Sequence, residues 1–447
     1  MITFPFPEDF LWGTGSSSFQ IEGAAFEDQK GLSIWDQACR DFPDRFSGGA
    51  SPTVATDFYH RYREDIAQMA ELGLKTFRLS IAWPRLFPKG RGELNERGAA
   101  FYDAIIDCLL EHGIEPFVDL YHWDLPQTLQ DEGGFENPQL IDDFVAYADT
   151  CFRRYGDRVK LWSTFNEPSV VAICSYALKL FPPYKEDLSA GLLAAHHLLL
   201  MHYAAVKRYR LLGQTGKIGA VIAFVPVYPD SLKKEDREAA TRQEDYVCNW
   251  WLRPMFKGEY PPSVIVDEEI QRAMPTGYAE SLSTAFEPMD FVGINYYYPS
   301  RTAYCPDSFL QSKSVQVFYA QSDYGFAIYP PGLYDSLNYI RKEYGNPEVY
   351  LTENGLGSDR ATSLDDELAD AKRIEFLQEH LRQLSRAIRS GCNVRGYYYW
   401  SHFDDFEGDR GYDINFGLLH VDRVTMERTP RQSWHYYKRC IETNLVA

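Results

Sequence analysis

Hydrophobic and polar positions follow two rhythms along this chain, and the two rhythms take turns from one end to the other. Short apolar, β-prone runs are followed by longer stretches whose apolar residues recur every three or four positions. The runs at 10–15, 76–83, 115–120, 161–165, 217–224, 291–294, 349–352 and 395–399 read as eight strands. A helix is predicted from Thr56 to Leu72, with Tyr62, Ile66, Met69 and Ala70 on one face and Gly73 as its stop. Another starts at Asn95, buries Phe101, Ile105, Cys108 and Leu109, and ends at Gly113. Further helical stretches are predicted over 138–155, 188–212, 241–251 and 365–390. Eight strands alternating with helices predict an α/β chain folded as a single (β/α)8 TIM barrel with elaborated βα loops. No internal repeat, low-complexity segment or linker divides the chain, so residues 1–447 are expected to form one domain.

In such a barrel the chemistry is carried by residues just past the strand C-termini. The fourth strand runs into Asn166-Glu167-Pro168, where the proline cannot donate to a ladder and holds the preceding residue extended. The seventh runs into Glu353-Asn354-Gly355. Two glutamates at the tips of two buried strands suggest two-carboxylate chemistry. The other strand ends add Gln20, Arg78, His122-Trp123, Asn295-Tyr296-Tyr297, Trp400 and Phe406-Glu407. Taken singly, each has a structural explanation: a capped helix, a satisfied core histidine, an arginine neutralising a carboxylate. Their joint occurrence at strand ends is harder to assign to packing. Amides, imidazole, carboxylates and indoles without metal-ligand spacing suit a polyhydroxylated ring, with neither cofactor nor metal.

Composition narrows the partners. Lys plus Arg is 45 against 64 Asp plus Glu, a net charge of −19, which repels a phosphate backbone and argues against nucleic-acid binding. Aromatic residues make up 15% of the chain, enough to supply sugar-facing walls as well as core. The N-terminus has neither a basic segment nor an apolar one, and the greasiest stretch, 190–206, reads as too short to span and carries three histidines. Eight scattered cysteines with no CxxC pair read as reduced thiols. A cytoplasmic location without membrane association is therefore the expectation, with a homo-oligomer left open. No G-x-G-x-x-G or Walker pattern follows the first strand, which removes the usual nucleotide reading.

Eight stretches in order, among them Phe10-Leu11-Trp12-Gly13, Gln20-Ile21-Glu22-Gly23, Tyr121-His122-Trp123-Asp124, Thr164-Phe165-Asn166-Glu167-Pro168 and Thr352-Glu353-Asn354-Gly355, carry a family pattern. Over essentially its whole length the chain resembles glycoside hydrolase family 1, the retaining β-glucosidase and β-galactosidase family. The resemblance implies an exo-β-glycosidase acting on a small β-glycoside or oligosaccharide, most simply a β-glucosidase, with β-galactosidase or β-fucosidase activity also in range. It implies Glu167 as general acid/base and Glu353 as nucleophile, with carboxyls about 5–5.5 Å apart. Arg78 and Tyr297 would favour the charged form of Glu353. Asn166 would hold the 2-hydroxyl; Gln20, His122 and Glu407 the other hydroxyls; Trp400 the floor; and Phe326 the aglycone. Trp123 and Asn295 complete the implied substrate contacts. A transglycosylase, or a sugar-binding relative without catalysis, shares most of this pattern.

The chain departs from the family in three places. Gly408 stands where a tryptophan is expected, so either a sugar substituted at that edge is admitted or Tyr412 or Phe403 fills the gap. Phe326 replaces another tryptophan, and Ser175-Tyr176-Ala177-Leu178 lacks expected glycines, which implies a reshaped aglycone mouth. Glu407 is kept and Ile414-Asn415-Phe416 lacks a phosphate-binding lysine, which disfavours 6-phosphoglycosides.

Overall fold

The computed structural model describes residues 3–359 and 363–446. Its centre is a closed barrel of eight parallel strands: β1 (Leu11–Gly15), β2 (Thr76–Ser80), β3 (Glu115–Asp119), β4 (Leu161–Asn166), β5 (Lys217–Ala223), β6 (Phe291–Asn295), β7 (Glu348–Asn354) and β8 (Val394–Trp400). Each strand pairs with the next, and β8 closes on β1. All eight sequence-predicted strands are present, with ends moved by a few residues. The largest change is at β2, which stops at Ser80 because Trp83–Leu86 forms a helical turn with proline at its start.

Side chains alternate between two faces, as strand geometry requires. Phe117, Leu161, Val221, Phe291, Tyr350 and Tyr398 form one cluster, whereas Val118, Trp162, Val349, Leu351, Tyr397 and Tyr399 belong to the surrounding core. Six strands thus contribute one aromatic or aliphatic side chain each to a packed plug inside the barrel. Buried parallel strands of this kind need apolar groups on both faces, which is why they read as continuous greasy runs.

Helices α1 (Phe58–Leu72), α2 (Glu96–Glu111), α3 (Gln139–Tyr155) and α4 (Leu188–Leu211) match their periodicity closely. The last of these is 24 residues long and, where its greasy stretch 190–206 was expected to be too short to span, is long and apolar enough to cross a membrane by length and composition; 78% of its most apolar window is buried. Its histidines are buried too: His202 meets the Thr164 hydroxyl at 2.7 Å and His196 meets Tyr260 at 2.9 Å.

The helix predicted over 241–251 is different in the structure. It consists of α5 (Lys234–Glu244), an irregular wide turn at Asp245–Asn249, and α6 (Trp250–Lys257). The stretch 365–390 is also divided. Leu364–Ala369 and Ala371–Arg389 meet at Asp370, whose φ is 30°. The Asp370 carboxylate accepts from the backbone N–H of Ser433 at 2.9 Å and from Arg373 at 2.8 Å, a tertiary clamp invisible to local periodicity. Several helices were not predicted at all, and the two longest of them among the described residues are Pro330–Glu343 and Gln432–Thr443. Pro330–Glu343 opens with Pro-Pro-Gly, which reads as loop, and Gln432–Thr443 follows the last strand and seats Trp434, Tyr437 and Cys440 in the core.

Candidate active site

The two glutamates reach one cavity because both of their strands break register at the tip. On β4, Leu161 packs in the inner cluster, Thr164 contacts His202 on α4, and Phe165 stacks on Phe144 of α3 at 4.7 Å. Two successive residues therefore face outward, and the ladder to β5 shifts between Ser163 and Asn166. On β7 the ladder to β6 shifts between Leu351 and Glu353. Such irregularities re-aim side chains at barrel rims. Glu167 also has φ 45° and Trp123 φ 74°, left-handed conformations that cost a non-glycine residue about 1–3 kcal/mol. The surrounding packing holds both.

Arg78 organises the floor from inside the barrel. It ion-pairs with Asp119 at 2.6 Å and with Glu353 Oε1 at 2.7 Å, and donates to Asn166 Oδ1 at 2.7 Å. Burial opposes its charge, but the carboxylates of Asp119 and Glu353 outweigh this and hold the guanidinium firmly protonated. The Tyr297 hydroxyl donates to Glu353 Oε2 at 2.8 Å. Both Glu353 oxygens are thus held by donors, which favours a carboxylate fixed in one orientation.

Glu167 is also buried but has fewer partners. Its polar contact is one hydrogen bond from Asn295 Nδ2, at 2.9 Å, and Asn295 is oriented in turn by Thr352 at 2.7 Å. Burial first, and then the negative charge of Glu353, push the Glu167 carboxyl up to about 8. Glu167 thus keeps a proton to donate at neutral pH while Glu353 is held by donors on both oxygens, the division of labour that acid and nucleophile roles need.

The cavity has a volume of about 170 Å³, and Gln20, His122, Trp123, Glu167, Asn295, Tyr297, Phe326, Glu353, Trp400 and Glu407 all line it. Asn166 and Arg78 are fully buried and stand behind that lining. Asn166 Oδ1 accepts from Arg78 and Asn295, so its amide nitrogen faces His122 Nε2 at 3.0 Å. That contact assigns Nε2 as the acceptor and leaves the His122 proton on Nδ1, toward Asp119 at 3.7 Å. Burial lowers the His122 pKa, which keeps the ring neutral. The ring stacks on Trp400 at 5.6 Å. Gln20 Nε2 binds the Phe406 carbonyl at 2.9 Å and approaches Glu407 at 3.4 Å. Tyr296 turns away, its hydroxyl on the Tyr329 carbonyl. Gly355 is required by close approach, since a Cβ there would lie 1.8 Å from the Trp400 carbonyl oxygen.

Neither ring expected to compensate for Gly408 does so. Tyr412 packs on Phe406 and donates to the Ser51 carbonyl, and Phe403 is buried against Phe58. The rings facing Gly408 are Trp35 and Phe181, 3.7 and 3.9 Å from where a Cβ would stand. Phe181 packs on Trp35 at 5.5 Å and on Trp123 at 5.9 Å, and it lines the cavity. It lies in a loop beyond β4, far from any strand-end pattern, so sequence reading missed it. Phe224, Tyr298, Tyr324 and Phe416 also line the cavity; the run Tyr296-Tyr297-Tyr298 carried a usable signal for one of them. We expect Phe181→Ala to raise KM for a β-glucoside about tenfold, roughly 1.4 kcal/mol of lost apolar contact, with a smaller change in kcat. Steady-state kinetics check this, and an unchanged KM removes Phe181 from the substrate wall.

Away from the cavity, Glu367, Asp404 and His420 bring ligand-type atoms within 4.8 Å of one another. Arg431 already binds both carboxylates at 2.8 Å. Hydrogen bonds to Asp404 and Glu367 push His420 up to about 9, so the cluster is an ion network carrying its own cations.

The chain is similar to known proteins over its whole length. Residues 2–446 match the model of glycosyl hydrolase family 1. β-Glucosidase A of Acetivibrio thermocellus is 40% identical over 99% of this chain and 100% of its own length. β-Glucosidase A of Thermotoga maritima is 39% identical over 98% of each chain. The solved family 1 β-glucosidase from Thermotoga maritima superposes with a TM-score of 0.96 at 38% identity, covering 100% of both chains. Its complex with glucoimidazole superposes at 0.95, with 39% identity over 98% of this chain and 99% of that one. The chain belongs to glycosyl hydrolase family 1 and is a glycoside hydrolase.

Proposed function

We propose that the enzyme is a retaining β-glucosidase that removes a terminal β-D-glucosyl residue by double displacement. The observation that carries this reading is the asymmetry of the two carboxyls. Glu353 is gripped by Arg78 and Tyr297, whereas Glu167 sits in a dry setting that raises its pKa to about 8. Glu353 attacks the anomeric carbon while Glu167 donates its proton to the departing oxygen, giving a glycosyl ester and the free aglycone alcohol. Esterification removes the Glu353 charge, the second cause that holds the Glu167 proton. Glu167, left as a carboxylate by that donation and no longer opposed by a neighbouring charge, takes a proton from water as that water opens the ester, which returns both carboxyls to their starting states. The relatives named as β-glucosidases support glucose as the glycone.

The stereochemical course tests this directly. Proton NMR of the first product from an aryl β-glucoside should show the β-anomer, with the α-anomer rising only by slow mutarotation. An α-anomer formed first would overturn double displacement. We also place the enzyme in the cytoplasm, a reading supported by its eight unpaired cysteines.

A further inference from the structure

A second cavity, of about 260 Å³, adjoins the first and is larger than it. The two share a wall of Val170, Ala223, Val225 and Tyr298. Those residues end or follow β4, β5 and β6, across the barrel from Gln20, Trp400 and Glu407, which end or follow β1 and β8. The second cavity is therefore on the Glu167 side, where the proton donor meets the departing oxygen. Val170 begins the turn after Glu167, its N–H on the Glu167 carbonyl at 2.9 Å. Cys174 lies one turn further on, close enough for the Glu167 charge to act on its thiol.

We propose that this cavity is an aglycone compartment shaped for an apolar, fused-ring aromatic group and unsuited to a second sugar. This rests on the β-glucosidase reading above and adds the leaving-group class. Its lining includes Ile173, Leu192, Val247, Trp250 and Trp251 and has no charged side chain and no side-chain amide, in contrast to the carboxylates and amides of the first cavity. The polar groups of its lining are the hydroxyls of Ser169, Tyr246 and Tyr298 and the indole N–H groups, too few for the several hydroxyls of a sugar ring, and each buried hydroxyl left unpaired costs about 1–3 kcal/mol. An apolar cavity of about 150 Å³ accepts benzene, so the volume here suits two fused rings. Two local irregularities make the space. The segment Val170–Ala177 winds as a wide helical turn directly after Glu167, and Asp245–Asn249 does the same between α5 and α6. Wide turns of this kind recur at functional sites. Tyr298, stacked on Phe326 at 4.5 Å, stands between the two cavities as a flat guide for an aryl ring.

The test compares kcat/KM for 2-naphthyl β-glucoside, cellobiose and β-glucosyl fluoride in the wild type, Cys174→Phe and Val247→Phe. Both substitutions fill the compartment, from two different elements, so one informative variant survives if the other misfolds. Comparing ratios between proteins cancels the intrinsic reactivity of the leaving groups. The naphthyl-to-fluoride ratio should fall about tenfold in either variant, while the cellobiose-to-fluoride ratio stays within about twofold of the wild type. A naphthyl ratio that does not move overturns the compartment while leaving the β-glucosidase reading intact. A parallel fall for cellobiose shows a sugar in the cavity and overturns its apolar occupant. A folded wild type that hydrolyses none of the three sinks the parent reading instead.

Discussion

Glu353→Ala is expected to lower kcat for aryl β-glucosides by about five orders of magnitude, a loss of roughly 6.8 kcal/mol of transition-state stabilisation. The carboxylate is fixed for attack by Arg78 at 2.7 Å and Tyr297 at 2.8 Å, and the substitution removes it outright. The fold should survive the change, because Arg78 keeps Asp119 at 2.6 Å as a partner for its charge. A thermal melt verifies that point. Truncation leaves room for a small anion beside the anomeric carbon. With azide added, a C–N bond should form on the face opposite the leaving group while Glu167 still protonates the aglycone. The product is then the α-glucosyl azide. Retention of more than about one per cent of wild-type kcat, or a β-azide product, would assign the nucleophile elsewhere.

Glu167 should govern the alkaline side of the pH profile. Its pKa is pushed up to about 8, first by burial and then by the charge of Glu353. A general acid works only while protonated, so kcat/KM should hold below that value and fall as pH rises through about 8. The direction is fixed by the sign of the shift: a carboxyl with an ordinary pKa would lose its proton well below neutrality. In Glu167→Gln the alkaline limb should vanish, with turnover of poor leaving groups reduced about 10³-fold. Activated leaving groups should suffer less, since they depart without a proton. A second readout isolates the cause. In Glu353→Gln the neighbouring charge is gone, so the Glu167 carboxyl, followed by infrared difference spectroscopy, should titrate below its wild-type value. A Glu167 pKa that does not move in that variant would show burial acting alone, and the switch from acid to base would need another origin.

The barrel and the carboxyls at its rim are legible in the chain's local pattern. The eight greasy runs are buried on both faces and must read as continuous apolar strings, which local composition records directly. His122, Glu167, Asn295, Glu353 and Trp400 sit at strand ends, which the barrel gathers by construction, whereas Arg78, expected there too, stands mid-strand on β2 and reaches them from inside the barrel. Local periodicity failed where a distant partner set the backbone. The break at Asp370 depends on Ser433, sixty-three residues away, and the wide turns at 170–177 and 245–249 divide or reshape helices that local pattern cannot place.

Tertiary structure also decided what each site residue does. Asn166, expected at a sugar hydroxyl, lies behind the cavity lining, between Arg78, His122 and Asn295. The gap left by Gly408 is faced by Trp35, from the short helix Ile34–Asp41, and by Phe181, from a loop, and no spacing connects either to it. Above all, strict alternation would not turn Asn166 and Glu353 inward together with the plug residues Leu161 and Tyr350. The register shifts on β4 and β7 do that, and they exist only because neighbouring strands and helices hold them. Sequence names the two carboxyls; the ladder irregularities aim them, and burial beside Arg78 gives one the proton and the other the charge.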